Sequence, residues 1–320
     1  MQLVDKLLLK PLIAMYTHIL TLIGPPQQER LSAGTIDLAR DILNSQTDIK
    51  WLAAEEACDL AFALKANPAT GKFDGLTKLR ANIADLCEQK ELDFHIHDLR
   101  GPRKMKLLIS DMDSTMIEQE CIDELADMAG FGEIVSTITE RAMRGELDFE
   151  EALRERVGLL KGLDIEVLGQ VYEERIKLMP GARELVQTMR ANGAYCVLVS
   201  GGFTYFTARI ADDLGFHENR ANILESENDK LSGHVSEPIL GRAAKLETLE
   251  EIIKSRGLFR DKTMAVGDGA NDLAMIQASG LGVAYRAKPI VARDARAAVN
   301  YGDLTAPLYF QGYKRDAFIS

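Results

Sequence analysis

Short apolar segments alternate with longer amphipathic segments from about residue 104 to the C-terminus. Three apolar segments have the length of a buried strand, and they cover residues 106–110, 194–199 and 263–266. Between them, apolar residues recur at helical spacing. Buried strands that alternate with helices are typical of a parallel sheet covered by helices on both faces. The pattern therefore predicts a doubly wound α/β domain over residues 104–320.

The first 100 residues carry a different pattern, in which shorter elements alternate. Apolar or alternating runs predict strands over residues 16–23, 49–53, 58–64 and 92–96, and helical spacing predicts helices over residues 1–9, 28–43 (starting near Ser32) and 75–87. From residue 16 onward the order is β-α-β-β-α-β. This order resembles a ferredoxin-like sandwich and the small amino-acid-sensing domains of the ACT type. We therefore expect a small α+β domain over residues 1–100, followed by a linker at residues 101–104, where Gly and Pro interrupt both patterns.

His95 and His97 alternate along the last predicted strand of this small domain. Two histidines at this spacing can hold a metal ion, but a chance pair on a solvated strand face is the more common case. We therefore predict a surface pair without a metal.

Composition and charge narrow the function classes. The 320 residues are 46% hydrophobic and 27% charged, which is typical of a globular protein. A formal charge of -11 leaves no basic stripe that would replace the counterions of a nucleic acid. The four cysteines form no CxxC pair, which favours reduced thiols over disulfides or structural zinc. The apolar run over residues 12–23 is shorter than the roughly 18 residues of a membrane span and lacks a cleavage site. We expect a cytoplasmic protein without a nucleic-acid or membrane partner.

The first buried strand of the larger domain is followed by residues 111–115, with the sequence DMDST. Carboxylates at positions i and i+2 after a strand, here Asp111 and Asp113, can face one cleft. One of them can then act as a nucleophile while the other transfers protons. Taken alone, the same pattern is also typical of a solvated turn in an acidic protein.

Polar segments also follow the other two buried strands. Residues 200–203 (SGGF) offer the hydroxyl of Ser200 and backbone N–H groups around Gly201 as an anion cradle, although a tight turn has the same composition. Residues 267–272 (GDGAND) offer oxygens that suit a hard cation such as Mg²⁺, although turn geometry alone also favours Gly, Asn and Asp. Because parallel strands place ligands at their carboxyl ends, we expect these segments to meet.

A lysine precedes the third buried strand, at the start of a helix predicted over residues 245–253. Lys245 is by default a solvated charge. In an acidic site, however, its ammonium group neutralises carboxylate and phosphoryl oxygens.

Together, the four segments resemble, in this order, the four motifs of the haloacid dehalogenase superfamily of phosphohydrolases. The resemblance covers about residues 104–303. The second acid, Asp113, argues against a dehalogenase and fits a phosphatase, in which a leaving alkoxide must be protonated. Residues 117–180 resemble the four-helix cap of those family members that hydrolyse O-phosphoserine. The resemblance thus implies a doubly wound parallel sheet with a helical cap insert.

The resemblance also implies roles for individual residues. Asp111 would be the nucleophile and Asp113 the acid and base. A Mg²⁺ ion would be held by Asp111, Asp268 and the backbone carbonyl of Asp113. At the amino-acid end of the substrate, Glu120 would contact the ammonium group, Arg156 the carboxylate, and Met143 and Phe149 the methylene group. The phosphoryl group would be bound by Ser200, Gly201, Lys245 and Asn271. Asp272 would orient Lys245 or a metal-bound water. The alternatives are surface ion pairing for Glu120 and Arg156 and core packing for Met143 and Phe149.

The expected activity is therefore Mg²⁺-dependent hydrolysis of O-phosphoserine to serine and phosphate through an aspartyl-phosphate, the last step of serine biosynthesis. The expected partner is a small-molecule substrate, and a homodimer is compatible with the ferredoxin-like part. Three alternatives stay open: a phosphatase of another small phosphomonoester in the same superfamily, a phosphomutase, and a regulatory amino-acid-binding protein without catalysis.

Overall fold

The computed structural model describes residues 16–143 and 146–320, and for Met143 it describes the backbone only. The helix predicted over residues 1–9 lies outside the described residues, as does the start of the apolar run over residues 12–23. Among the described residues, no helix is both long enough and apolar enough to cross a membrane.

The N-terminal part folds into a four-stranded antiparallel sheet packed against two helices. In chain order its elements are β1 (His18–Ile23), α1 (Ala33–Leu43), β2 (Lys50–Ala53), β3 (Ala57–Phe62), α2 (Leu76–Lys90) and β4 (Asp93–Asp98). The strand order is β2-β3-β1-β4, and each neighbouring pair is antiparallel. The predicted element order is therefore confirmed, whereas the comparison with ACT-type domains stays a prediction.

Helix α1 begins and ends where local chemistry requires it to. Its first turn is capped by Ser32, whose Oγ accepts a hydrogen bond from the backbone N–H of Thr35 at 3.3 Å. It ends at Asn44, which adopts the left-handed conformation (φ 46°) that stops a helix. Between the caps, Ile36 and Leu43 are buried against the sheet. These signals explain why the sequence predicts this helix closely.

His95 and His97 are buried, so the prediction of a surface pair is wrong. Both side chains are 8% exposed, and the ring of His95 lies 5.4 Å from the ring of Phe310 near the C-terminus. Burial, followed by the charge of Arg103, lowers the pKa of His97 to about 4. Burial also lowers the pKa of His95, so the environment favours the neutral form of both rings, and His95 packs between the N-terminal sheet and the C-terminal segment.

The C-terminal part is a parallel sheet with a helical insertion. In chain order its elements are β5 (Leu107–Ser110), α3 (Cys121–Met128), α4 (Gly132–Met143), α5 (Phe149–Gly158), α6 (Glu166–Glu174), α7 (Ala182–Ala191), β6 (Tyr195–Phe203), α8 (Thr204–Leu214), β7 (Glu218–Asn222), β8 (Leu224–Glu227), β9 (Lys230–Val235), α9 (Arg242–Arg256), β10 (Thr263–Gly267), α10 (Leu273–Ala278), β11 (Leu281–Tyr285), α11 (Pro289–Asp294), β12 (Ala297–Val299) and α12 (Ala306–Phe310), with 3-10 turns at Arg260–Lys262 and Arg315–Ala317. Strands β12-β11-β10-β5-β6-β7 lie side by side and are all parallel. This confirms the predicted doubly wound sheet.

The central strand β5 shows why the sheet needs helices on both faces. Its side chains alternate between two hydrophobic cores: Leu108 enters one core, and Leu107 and Ile109 enter the other. All three are fully buried. A strand buried on both faces is apolar throughout, and this is the pattern that predicts it from the sequence.

Some predicted boundaries are wrong. Strand β6 continues to Phe203, with a register shift after Val199, so residues 200–203 form the irregular end of the strand and not a separate turn. Helix α9 begins at Arg242, three residues before Lys245. Strand β7 was not predicted because it lies at the edge of the sheet and its sequence is polar.

Four helices, α3 to α6, form the insertion between β5 and α7. The insertion is closed at its base by an isolated bridge between Ile117 and Leu178. The hairpin of β8 and β9 also contacts it, because Leu231 accepts a hydrogen bond from the N–H of Gly162 at 2.8 Å and donates one to the carbonyl of Leu163 at 2.8 Å. We call these four helices the cap.

The N-terminal and C-terminal parts share one ten-stranded sheet, because β4 pairs with β12 through Phe94 and Ala298. A buried ion pair reinforces this junction. Arg103, in the predicted linker, forms two hydrogen bonds with the carboxylate of Asp59, at 2.6 and 2.8 Å, and a third with the carbonyl of Phe310 at 3.1 Å. The linker is therefore a packed structural element.

We expect Arg103→Met to lower the free energy of unfolding by about 3–5 kcal/mol, because it leaves the buried carboxylate of Asp59 without its main partner. Urea unfolding of the two proteins measures this difference. The double variant Arg103→Met/Asp59→Asn should unfold at a higher urea concentration than Arg103→Met alone. A double variant that is less stable than Arg103→Met would contradict the assigned ion pair.

Candidate active site

The carboxyl end of β5 brings three of the sequence motifs together. Asp111 follows β5 directly, and its N–H donates a hydrogen bond to the carbonyl of Val266 in the neighbouring strand β10 at 3.0 Å. The other neighbour of β5 is β6, which carries Ser200. Because β5 lies between β10 and β6, their polar ends surround Asp111.

Lys245 joins two of the acidic residues in a buried cluster. Its Nζ lies 2.6 Å from Oδ2 of Asp111 and 2.6 Å from Oδ1 of Asp272. Lys245 is 2% exposed, which excludes the alternative of a solvated charge. Burial by itself lowers the pKa of Lys245, but Asp111 and Asp272 outweigh burial and raise that pKa above its usual value. The ammonium group therefore stays charged and compensates these two carboxylates.

Asp113 faces the end of β6. Its Oδ2 accepts a hydrogen bond from Ser200 Oγ at 3.0 Å, and its Oδ1 accepts one from the N–H of Cys121 at 3.0 Å. Burial and the charge of Asp111 raise the pKa of Asp113. The carboxyl group is thus held next to Ser200, and its environment favours the protonated form.

The loop after β10 needs glycine for its tight path. A Cβ atom on Gly267 would lie 2.4 Å from Cγ of Asp272, so only glycine fits there. The other oxygen of Asp272, Oδ2, accepts a hydrogen bond from the N–H of Gly269 at 3.0 Å. Asp268 accepts a hydrogen bond from Thr115 Oγ1 at 3.2 Å. The loop therefore presents Asp268 towards Asp111 while Asp272 is bound behind it.

Three carboxylates are close enough to hold a metal ion. Oxygen atoms of Asp111, Asp268 and Asp272 lie within 4.8 Å of one another. Burial, followed by the charge of Asp111, raises the pKa of Asp268 to about 6, so the site disfavours several uncompensated negative charges. A hard divalent cation binds such oxygen ligands and compensates these charges. The residues present therefore fit a divalent metal.

A cavity of about 890 Å³ lies between the sheet and the cap. It is lined by nine of the residues predicted for the site: Asp111, Asp113, Glu120, Phe149, Arg156, Ser200, Gly201, Asp268 and Asn271. Lys245 and Asp272 lie beneath it, in contact with Asp111 through Lys245. The side chain of Met143 lies outside the described residues.

The cap side of the cavity carries one base, Arg156, and three acids, Glu120, Asp148 and Glu150. Glu120 Oε1 accepts a hydrogen bond from Ser114 Oγ at 2.8 Å, and burial in the cavity wall, followed by the charge of Asp113, raises the pKa of Glu120. Arg156 donates its Nε to the carbonyl of Ala152, 3.2 Å away in its own helix. Among the described residues it forms no ion pair, so its other N–H groups are available to a ligand.

Phe149 of the cap lies directly against the sheet side of the cavity. A Cβ atom on Gly201 would lie 2.9 Å from Cζ of Phe149, so the absence of a side chain at Gly201 permits this approach. The apolar ring therefore forms one wall beside the backbone of residues 200–203.

Sequence reasoning missed a residue that fixes the end of β6. Asn222 is 3% exposed, donates its Nδ2 to the carbonyl of Gly201 at 2.8 Å and accepts the N–H of Leu240 at 2.6 Å. It thus ties the SGGF segment to the loop that leads into α9. Nothing in the local sequence indicates this, because Asn222 lies in the polar edge strand.

Comparison with known proteins agrees with this geometry. The haloacid dehalogenase-like hydrolase family matches residues 108–277, more than half of the chain. A phosphoserine phosphatase of Archaeoglobus fulgidus is 49% identical over 189 residues, which cover 59% of this chain and 55% of that protein. The chain thus spans little more than half the length of this relative.

Two solved structures resemble nearly the whole chain. A haloacid dehalogenase family hydrolase of Salmonella enterica serovar Typhi has a TM-score of 0.80 at 29% identity, covering 92% of this chain and 98% of that one. A probable phosphoserine phosphatase of Vibrio cholerae has a TM-score of 0.73 at 32% identity, covering 94% and 88%.

This chain belongs to the haloacid dehalogenase-like hydrolase family. Two of the three relatives described here carry the name phosphoserine phosphatase, one of them as probable.

Proposed function

We propose that this chain is a phosphoserine phosphatase, which hydrolyses O-phosphoserine to serine and inorganic phosphate as the last step of serine biosynthesis. The observation that carries the proposal is the cavity itself. Its sheet side holds a carboxylate pair beside an anion cradle, and its cap side holds the base Arg156 and the acid Glu120. The other two acids on that side are already engaged, because Asp148 caps helix α5 and Glu150 pairs with Arg154. A phosphorylated amino acid has a phosphoryl group at one end and a zwitterion at the other, and it matches both sides.

The first step is attack by Asp111 on phosphorus. Met112 donates its N–H to Asp111 Oδ1 at 2.8 Å, and Lys245 binds Oδ2, so the carboxylate is held in a fixed orientation. Attack forms an aspartyl-phosphate and breaks the bond between phosphorus and the serine oxygen. Ser200, the backbone of Gly201 and Asn271 bind the phosphoryl oxygens, and Lys245 adds positive charge.

Asp113 serves as the acid and then as the base. It protonates the serine oxygen as that oxygen leaves. It then takes a proton from the water molecule that attacks the aspartyl-phosphate, which returns both carboxylates to their starting state. The contact between Asp113 and Ser200 supports this role, because it holds the carboxyl group of Asp113 beside the phosphoryl-binding segment.

The amino-acid end of the substrate binds the cap. Glu120 pairs with the ammonium group, and Arg156 binds the carboxylate with its planar guanidinium group. Phe149 and Met143 pack on the methylene group between them. These contacts distinguish phosphoserine from other small phosphomonoesters.

The proposed metal is Mg²⁺, held by Asp111, Asp268 and the backbone carbonyl of Asp113. When bound, it neutralises charge on the phosphoryl oxygens, which an acidic cavity would otherwise repel. Asp272 orients Lys245 from behind, and both of its carboxylate oxygens are already used for this purpose.

The remaining proposals concern the whole chain. Residues 1–100 are assigned to a small ACT-like α+β domain, and residues 104–320 to the catalytic domain with a cap at about residues 117–180. The four cysteines are free and buried, which supports a cytoplasmic location. Homodimer formation stays a prediction from the sequence.

The proposed activity predicts the following preference among four substrates. The chain should release phosphate from L-phosphoserine faster than from 3-phosphoglycerate, phosphoethanolamine or p-nitrophenyl phosphate, and excess EDTA should abolish release until Mg²⁺ is restored. The measurement is kcat/KM for each compound. Equal values for all four would favour a phosphatase of another small phosphomonoester, and full activity in EDTA would refute the metal.

Arg156→Ala should raise the KM for phosphoserine by roughly 10- to 100-fold, because a charge-assisted hydrogen bond contributes about 1.5–3 kcal/mol. The KM for phosphoethanolamine, which lacks the carboxylate, should stay nearly constant. Arg154→Ala is the matched control, since Arg154 lies on the same helix but pairs with Glu150 and Glu237. An equal loss for both substrates would show that Arg156 does not select the carboxylate.

A further inference from the structure

A second cavity, of about 350 Å³, lies between the N-terminal and C-terminal parts of the chain. One wall is formed by helix α2, through Arg80, Cys87 and Glu88, and the other by residues 292–301 around β12. The cavity adjoins the residue pair Phe94 and Ala298, through which strands β4 and β12 join the two parts. Nothing in the proposed reaction uses it.

Positive charge is concentrated in this cavity, although the chain as a whole carries a formal charge of -11. Three guanidinium groups line it, those of Arg80, Arg293 and Arg296. Arg80 donates Nη1 to the backbone carbonyl of Arg296 at 3.1 Å, and no carboxylate of the described residues pairs with it. Burial, followed by the charge of Arg296, lowers the pKa of Arg80. Both arginines thus line the same cavity, and neither forms an ion pair with a carboxylate of the described residues.

The acids of the same cavity do not compensate these arginines. The carboxylate of Asp93 already accepts hydrogen bonds from the backbone N–H groups of Asn300, Tyr301 and Gly302, the shortest at 2.7 Å. Glu88 is exposed and forms no ion pair within the described part of the chain. Arg293 is paired with Asp294 at 2.9 Å, which leaves Arg80 and Arg296 as the uncompensated pair.

We propose that this cavity binds a small oxyanion between Arg80 and Arg296. A guanidinium group offers parallel N–H donors that match the oxygens of a phosphate, sulfate or carboxylate group. An anion there replaces the repulsion between two like charges by two attractive contacts. The site is distinct from the catalytic cavity and does not depend on the proposed function.

An anion in this site joins the two parts of the chain. Arg80 belongs to the N-terminal part and Arg296 to the C-terminal part, so one ligand contacts both. Lys288, which lines the catalytic cavity, directly precedes helix α11, and Arg293 near the end of that helix lines this second cavity. Occupancy therefore strengthens the junction next to a segment that borders the catalytic site.

The test is isothermal titration of the full chain with inorganic sulfate and with inorganic phosphate, at ionic strength held constant with chloride. L-serine and succinate are titrated in parallel, because they offer an oxyanion as an organic carboxylate. The comparison shows whether the site binds an inorganic oxyanion or a carboxylate. We expect wild type to show a binding event that weakens roughly 10-fold or more in Arg80→Gln, since a charge-assisted contact is lost. Arg296→Gln should weaken binding to a similar extent. Because the side chain of Arg296 is exposed, we expect this variant to fold as wild type does.

Lys78→Gln is the matched control, since Lys78 is an exposed cation on the same helix that does not line the cavity. It should bind as wild type does. The proposal would be overturned if both arginine variants bound the anion as wild type does. It would also be overturned if the only binding event were one that Ser200→Ala removes, because that event belongs to the catalytic cavity. Because these titrations need no turnover, a failure to hydrolyse phosphoserine would leave their outcome unaffected.

Discussion

Asp111→Asn should reduce kcat for phosphoserine by a factor on the order of 10⁴–10⁶, the scale seen when a catalytic nucleophile is removed. The amide lacks the charged oxygen that attacks phosphorus, so no aspartyl-phosphate forms. The remaining contacts of the site are preserved. Met112 still donates to Oδ1 of the new side chain, and Lys245 retains Asp272. The measurement is phosphate release under saturating substrate.

The control for this variant is Asp85→Asn, which makes the same change on the exposed side of the N-terminal helix α2. It should retain wild-type kcat. Circular dichroism and urea unfolding should show that Asp111→Asn is folded. A folded Asp111→Asn protein with kcat within 10-fold of wild type would exclude Asp111 as the nucleophile.

Lys245→Met should lower kcat by roughly 10²–10³-fold, the scale for the loss of one preorganised electrostatic contact. Its ammonium group lies 2.6 Å from both Asp111 and Asp272, so its removal leaves two buried carboxylates that repel each other. The free energy of unfolding should therefore fall as well. Kinetics and urea unfolding are measured on the same preparation.

The double variant Lys245→Met/Asp272→Asn separates the two effects. Removing the charge of Asp272 together with that of Lys245 relieves the repulsion, so stability should recover relative to Lys245→Met. The rate should not recover, because the positive charge beside the phosphoryl group is still missing. Recovery of kcat in the double variant would show that Lys245 acts only through stability.

The catalytic side of the cavity could be predicted from the sequence because its residues lie at the ends of buried strands. A strand such as β5 is apolar throughout, and the parallel arrangement fixes where its polar end must lie. The sequence therefore predicts that Asp111, Ser200 and Asp268 meet at this edge of the sheet. Asn222 could not be predicted, because it acts through the path of a loop that only the folded chain defines.

The junction between the two parts could not be predicted for a similar reason. Arg103 lies in a segment whose glycine and proline indicate a linker, and its partner Asp59 is 44 residues away. His95 and His97 have the spacing of a strand with one solvated face, yet the C-terminal segment covers that face. Local patterns report local structure, whereas these contacts depend on tertiary packing.

The cap could be predicted from the sequence only in part. Its four helices follow from family resemblance. The placement of Glu120 and Arg156 on one cavity wall does not follow from spacing, because it depends on how α3 and α5 pack together. For these two residues, the structure adds that Arg156 forms no ion pair within the described part of the chain and that its guanidinium group reaches the cavity.

The most direct test of the proposed reaction is the exchange of labelled serine into phosphoserine during hydrolysis. The enzyme is supplied with unlabelled L-phosphoserine, Mg²⁺ and isotopically labelled L-serine, and phosphoserine is re-isolated before the reaction is complete. An aspartyl-phosphate at Asp111 can return its phosphoryl group to serine bound by Glu120 and Arg156, so label should appear in phosphoserine, and none should enter a phosphate ester of labelled glycerol. Continued release of phosphate without label in phosphoserine would contradict the covalent intermediate, and equal transfer to glycerol would contradict the selection of serine.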